Sequence, residues 1–263
     1  TATREYFVER GYEKMPVDGP LCPSVPGEVD AWETILDRFG TRTLSDLIQP
    51  AINLAEYGFP LPERISKYFT SGLAKLSKYP TSAEIFIKSD GTPYVEGDIL
   101  VQKKLARSLR RVADGGAEEF YRGDLGKEIA KGIQDAGGLM QEEDLAGQKT
   151  IVYDNPPSVE FHGHTVYATD LPSQGMLTLE ILSLLDGFDL AAMGHNTPEA
   201  IHTMVEAKRL AFADRLAYIG DPEFVEAPMN HLLSKEYAAY RRQAVNPDKM
   251  ADIVPAGELS QSG

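Results

Sequence analysis

The sequence predicts an α+β fold that is mostly helical, and three observations carry the prediction. Long stretches place apolar residues three and four apart, as one face of a helix requires. Only one region, around residues 150–168, alternates apolar and polar residues as a half-buried strand does. Glycine or proline closes most of these stretches, so the elements are separated by sharp stops.

The first 25 residues read as irregular and end in the proline-rich connector CPSVPG. Residues 27–39 space Val29, Trp32, Ile35, Leu36 and Phe39 as a helix that Gly40 stops. Residues 44–57 repeat the pattern through Leu47, Ile48, Ala51, Ile52 and Ala55, with Pro50 expected to bend or split the helix. Further helices are predicted over 65–76, 101–113 and 124–136, the last closed by Gly137 and Gly138. The stretch QKTIVYDNPPSVEFHGHTVYATD then predicts two strands joined by a turn at Asn155-Pro156-Pro157. After it, residues 170–190 form a loop feeding a helix that is apolar nearly all round and therefore buried. Helices over 198–218 and 234–244 follow. Residues 1–245 are read as a single segment, and 246–263, which lose periodicity, as a mobile tail.

Charge and composition narrow the function. The chain has 263 residues, enough to bury a sizeable core. Its net charge of -14 repels a phosphate backbone, so nucleic acid is excluded as a partner class. Cys22 is the one cysteine, which rules out an internal disulfide and a cysteine-based zinc site. No apolar run approaches the ~20 residues of a membrane span.

The candidate chemistry is sparse. Ser173, Gln174 and Gly175 sit ahead of the buried helix, where amide groups point outward and anions bind. Ser173 lacks the Gly-x-Ser-x-Gly surround of a nucleophile and reads as a helix cap. His162 and His164 flank Gly163 on one expected strand face, yet no third metal ligand stands at a matching spacing. They read as the tip of an exposed hairpin, and no metal or cofactor is expected. Thr197 and Pro198 read as the cap and first residue of a helix, which accounts for the nearby His195. The carboxylates of Glu142, Glu143 and Asp144 suit a helix start. Thr1 as a nucleophile needs to open a buried strand; its surroundings are charged and irregular or helical instead. The chain alone therefore holds no catalytic constellation. It is either a non-catalytic helical binding module or one piece of a split active site.

Three blocks favour the second reading. They are VPGEVDAWETILDRFGTRTLSDLIQPAINLAEYGFPL, EEFYRGDLGKEIAKGIQDAGGLMQEEDLAGQK and GHNTPEAIHTMVEAKRLAFADRLAYIGDPEFVEAP. In this order they resemble the gamma-glutamyltransferase family over residues 25–244. The resemblance implies an N-terminal nucleophile hydrolase, an αββα sandwich with sheet from two subunits. A precursor cleaves itself, and the new N-terminal threonine of the small subunit attacks a gamma-glutamyl amide before water or an amine takes the acyl group. This chain then corresponds to the middle and end of the large subunit, with no catalytic residue of its own. Its implied partners are the small subunit of the same precursor and a small gamma-glutamyl or acyl-amide substrate. The implied arginine for the substrate carboxylate lies upstream of the matching blocks, and the nucleophile downstream of PAGELSQSG. LPSQG departs from the PPSSGG-like run of many transferase members at Gln174 and Met176, which brings acylase-like relatives into consideration.

Overall fold

Residues 2–259 are described by a computed structural model. Thr1 and residues 260–263 lie outside the described residues. Where the sequence suggests one segment through residue 245, contacts group the chain into two compact units, Thr1–Ile151 and Val152–Gly263.

The first unit holds α1 (Arg4–Glu9), α2 (Glu28–Phe39), α3 (Leu44–Tyr57), β1 (Phe59–Pro60), α4 (Glu63–Leu76), α5 (Pro80–Phe86), β2 (Ile99–Leu100), α6 (Lys103–Tyr121), α7 (Asp124–Asp135) and α8 (Glu142–Ala146). α3 lies along α6, and α2 and α7 also pack on α6. Val29, Ile48, Ile52, Val112, Tyr121, Leu125 and Leu145 fill the space between them. The buried Tyr121 hydroxyl donates to the Pro26 carbonyl at 2.6 Å, so its polar end is satisfied inside this core. Thr43 caps α3 by accepting from the Asp46 amide at 3.1 Å, and Asp46 bonds back to Thr43.

Pro50 does not split α3, which runs unbroken from Leu44 to Tyr57. Asp46, whose carbonyl loses its helical donor, is exposed and reachable by water, while the opposite face is held against α6. A break comes instead inside α6, at Gly116 (φ 58°, ψ -150°). An L side chain rarely adopts that φ, and a Cβ there would collide with the Glu33 carboxylate. β1 and β2 form a minimal antiparallel pair in which Phe59 faces Leu100.

The second unit holds β3 (Ser158–Phe161), β4 (His164–Tyr167), α9 (Gly175–Leu185), α10 (Leu190–Met193), α11 (Pro198–Tyr218), α12 (Met229–Leu232) and α13 (Lys235–Arg242). α9 packs on α11, α13 and β3. Leu177, Leu184 and Leu185 meet Ala207, Leu210 and Ala211, and the alanines let the two helices approach closely. α9 is buried on nearly every side, as its composition predicts.

The strand pair is displaced from its expected place. Residues 148–153 are irregular, and the hairpin lies wholly after Pro157. Phe161 pairs with His164, leaving His162 and Gly163 as a two-residue turn with φ of 47° and 79°. Positive φ at both central residues matches the twist of a tight hairpin, and a glycine at the second supplies it without strain. His162 is thus a turn residue and does not share a strand face with His164.

The stretch expected as a tail is described as far as residue 259. Residues 251–259 have no helix or strand, yet they are held by buried side chains of α11 and α13, described below. Among the described residues, no helix is long and apolar enough to cross a membrane.

Candidate functional site

Two features of the second unit present polar groups in unusual positions: the loop entering α9 and a buried ionic centre beneath that helix.

The loop leaves β4 at Ala168 and reaches α9 through a cis Leu171–Pro172 peptide. Asp170 holds it by accepting from the Leu171 amide at 2.8 Å. The Ser173 hydroxyl donates to the Thr169 carbonyl at 3.0 Å, lies 2.6 Å from the Thr169 hydroxyl and accepts from the Gly175 amide at 3.1 Å. Ser173 therefore satisfies a helix-start amide as the sequence suggests, although Gln174 occupies the cap position and α9 begins at Gly175. Among the described residues no histidine or carboxylate side chain bonds the Ser173 hydroxyl. The loop accordingly contains no nucleophile and base in contact. Gln174 is exposed and its side-chain amide bonds nothing among the described residues. Gly175 has no room for a side chain: a Cβ would run into the Thr169 carbonyl.

The remaining sequence candidates have local structural tasks. The His162 amide donates to Asp186 at 2.8 Å, pinning the hairpin turn to the end of α9. Among the described residues, no three His, Cys, Asp or Glu side chains gather as a metal site. Thr197 caps α11 with Pro198 at its first turn, and His202 meets the Asn246 carbonyl at 2.7 Å. Glu142, Glu143 and Asp144 occupy the first turn of α8, where Asp144 accepts from the Gln141 amide. Cys22 is exposed and bonds the Gly19 carbonyl through its thiol. Thr1 lies outside the described residues.

The buried centre was not legible from periodicity. Glu180 on α9, Asp214 on α11, and Arg241 and Tyr237 on α13 are all buried. Arg241 Nε donates to Asp214 Oδ2 at 2.9 Å, and its Nη2 donates to the carbonyls of Leu210 and Pro255 at 3.2 and 3.0 Å. Asp214 Oδ1 accepts from the Gly257 amide at 2.6 Å. Neither Glu180 oxygen makes a hydrogen bond, nor does the Tyr237 hydroxyl. Burial, reinforced by the Asp214 carboxylate beside it, pushes Glu180 up to about 10, so it is neutral at physiological pH. Burial likewise raises the Tyr237 phenol well above its ordinary value. The centre thus carries one ion pair and one neutral acid. The one signal in the sequence was a lone glutamate within an otherwise apolar helix.

A separate cavity of about 330 Å³ lies beside the hairpin, lined by Glu160, Asp186, Lys235 and Arg242 among others. Two acids and two bases face it, so it favours neither anions nor cations.

Against known proteins, the family model described as gamma-glutamyltranspeptidase matches residues 1–261. The chain belongs to the gamma-glutamyltranspeptidase family. The glutathione hydrolase proenzyme of Escherichia coli (strain K12) is 37% identical over 242 residues, covering 90% of this chain and 41% of that protein. Among solved structures, the gamma-glutamyltranspeptidase of Helicobacter pylori superposes with a TM-score of 0.87 at 33% identity, over 97% of this chain and 74% of that one. The cephalosporin acylase of Bacillus halodurans superposes with a TM-score of 0.85 at 29% identity, over 94% of this chain and 46% of that one. The chain spans less than half the length of the curated family members it matches. Its helical content and few strands agree with the region of these family structures that it overlays.

Proposed function

We propose that this chain is the large-subunit part of a self-processing enzyme that cleaves gamma-glutamyl amides, glutathione-like compounds among them, and passes the acyl group to water or an amine. The observation that carries the reading is the family match over residues 1–261, joined to an α9 entry loop in which, among the described residues, no base bonds the Ser173 hydroxyl. In this reading the nucleophile is a threonine that opens the small subunit of the same precursor. Its hydroxyl adds to the amide carbonyl, the amine leaves with a proton, and water or an acceptor amine resolves the resulting ester. The two subunits together complete an αββα sandwich, to which this chain supplies mainly helices. Ser173, Gln174 and Gly175 lie near the subunit junction as the entry to a core helix and perform no chemistry.

The complete precursor tests this. Two chains on a denaturing gel, the smaller beginning with threonine, together with nitroaniline release from gamma-glutamyl p-nitroanilide, are the expected results. A precursor that stays whole and inert makes the chain a helical binding module instead. Release only from another acyl amide assigns it to the acylase branch. Two observations favour that second reading: the overlay on the Bacillus halodurans acylase, and Gln174 and Met176 where many transferases have small residues.

A further inference from the structure

The irregular stretch that ends the described chain is gripped by three side chains at two residues, Pro255 and Gly257. Arg241 donates to the Pro255 carbonyl at 3.0 Å, Asp214 accepts from the Gly257 amide at 2.6 Å, and the Tyr218 hydroxyl donates to the Gly257 carbonyl at 2.7 Å. Gly257 fits because it has no side chain: a Cβ would strike the Tyr237 hydroxyl and the Arg241 stem. On the α9 side, Glu180 is 1% exposed with both oxygens unpartnered. Upstream, Glu206 accepts from the Ala251 amide at 3.2 Å, so the path of the stretch is set before it reaches the grip.

Burying a carboxylate and a guanidinium is costly, and apolar contacts hold a surface segment more cheaply. What charged hydrogen bonds add is direction: they accept one backbone register and reject its neighbours. We propose that Asp214, Arg241 and Tyr218, backed by Glu180, form a latch on residues 255–257 that positions the chain beyond it for self-cleavage of the precursor. The inference rests on the self-processing reading above. In that cleavage the threonine hydroxyl adds to the carbonyl before it, the C–N bond breaks as the amine gains a proton, and water hydrolyses the ester to a new carboxylate and the restored hydroxyl. Such an intramolecular attack is steeply sensitive to placement, with a shift of about 1 Å costing up to ~100-fold. A fixed point upstream of the cleavage site narrows the positions that the chain beyond it samples. These are positioning residues, acting through the backbone that they hold.

The test uses the complete precursor and follows its first-order conversion to two chains. Tyr218→Phe removes one grip at the rim of the latch, and Asp214→Asn removes the charge while keeping shape. Conversion is expected to slow by roughly tenfold or more in both. For Tyr218→Phe the melting temperature should stay within about 4 °C of wild type, and activity per mature molecule should be unchanged, which a purely stabilising role does not predict. Wild-type rates of conversion in a folded Tyr218→Phe precursor overturn the latch and leave the self-processing reading intact. A wild-type precursor that never divides overturns both.

Discussion

Arg241 Nε and Asp214 Oδ2 meet at 2.9 Å with the two side chains 4% and 0% exposed, so α13 and α11 are joined by an ion pair sealed from water. Salt screens such a pair little. Removing one partner leaves the other charge buried and alone. Arg241→Ala is therefore expected to cost about 3–5 kcal/mol, read as a melting temperature lower by a few degrees in the complete protein. A loss below about 1 kcal/mol, the usual value of an exposed pair, contradicts the burial described.

Glu180 makes stability depend on pH. Its folded pKa, about 10, lies above the ordinary 4.5, so the folded protein holds the proton more tightly than the unfolded chain does. The stability this gives is complete below about pH 4.5 and is lost progressively as pH rises towards 10. Glu180→Gln keeps the shape and removes the titration. Denaturant midpoints at about pH 5, 7 and 9 should show wild type losing ground to the variant as pH rises, by at most about 1.4 kcal/mol per unit. Parallel curves over that range would show that Glu180 is ionised in the folded protein.

At the entrance to α9, Ser173→Ala and Gly175→Ala should separate sharply. The first loses the bond to the Gly175 amide and should cost about 1 kcal/mol with turnover retained. A fall of several powers of ten in kcat for a variant that matures normally would make Ser173 a nucleophile. The second forces a methyl group against the Thr169 carbonyl, and should lower the melting temperature far more than the first.

Gln174 is exposed and its side chain bonds nothing among the described residues, so Gln174→Ser should leave stability within about 0.5 kcal/mol of wild type. The expected change is in the ratio of acyl transfer to hydrolysis, read with and without an acceptor amine. An unaltered ratio with the full range of acceptors removes Gln174 from the site.

Trp32, Ile35 and Phe39 on α2 are 41%, 57% and 79% exposed, and Leu47, Leu54 and Tyr57 on α3 are exposed as well. Produced alone, this chain should bind a hydrophobic dye and self-associate, whereas Ile35→Glu with Phe39→Lys should reduce both. A monomeric chain that binds no dye contradicts the exposure of this face.

Local rules account for most of the elements. Helix periodicity located α2, α3, α4, α7, α11 and α13, with glycine stops closing α2, α3 and α7, because amphipathic spacing and capping act within a few residues. Thr197 before Pro198 and the acidic start of α8 are of this kind. The largely apolar α9 was legible for the same reason, and the three ordered blocks carried the family. Tertiary structure decided what depends on distant partners. Whether α3 survived Pro50 depended on its packing along α6. The hairpin register depended on which residue took the positive φ, and His162 with Gly163 took it in place of the Asn155-Pro156-Pro157 turn. Above all, Glu180, Asp214 and Arg241 are far apart in the chain, and each alone is an ordinary charged residue. Only packing α9, α11 and α13 together removes their water, and it is that loss of solvent which makes one acid neutral, binds the other to arginine and ties down residues 255–257.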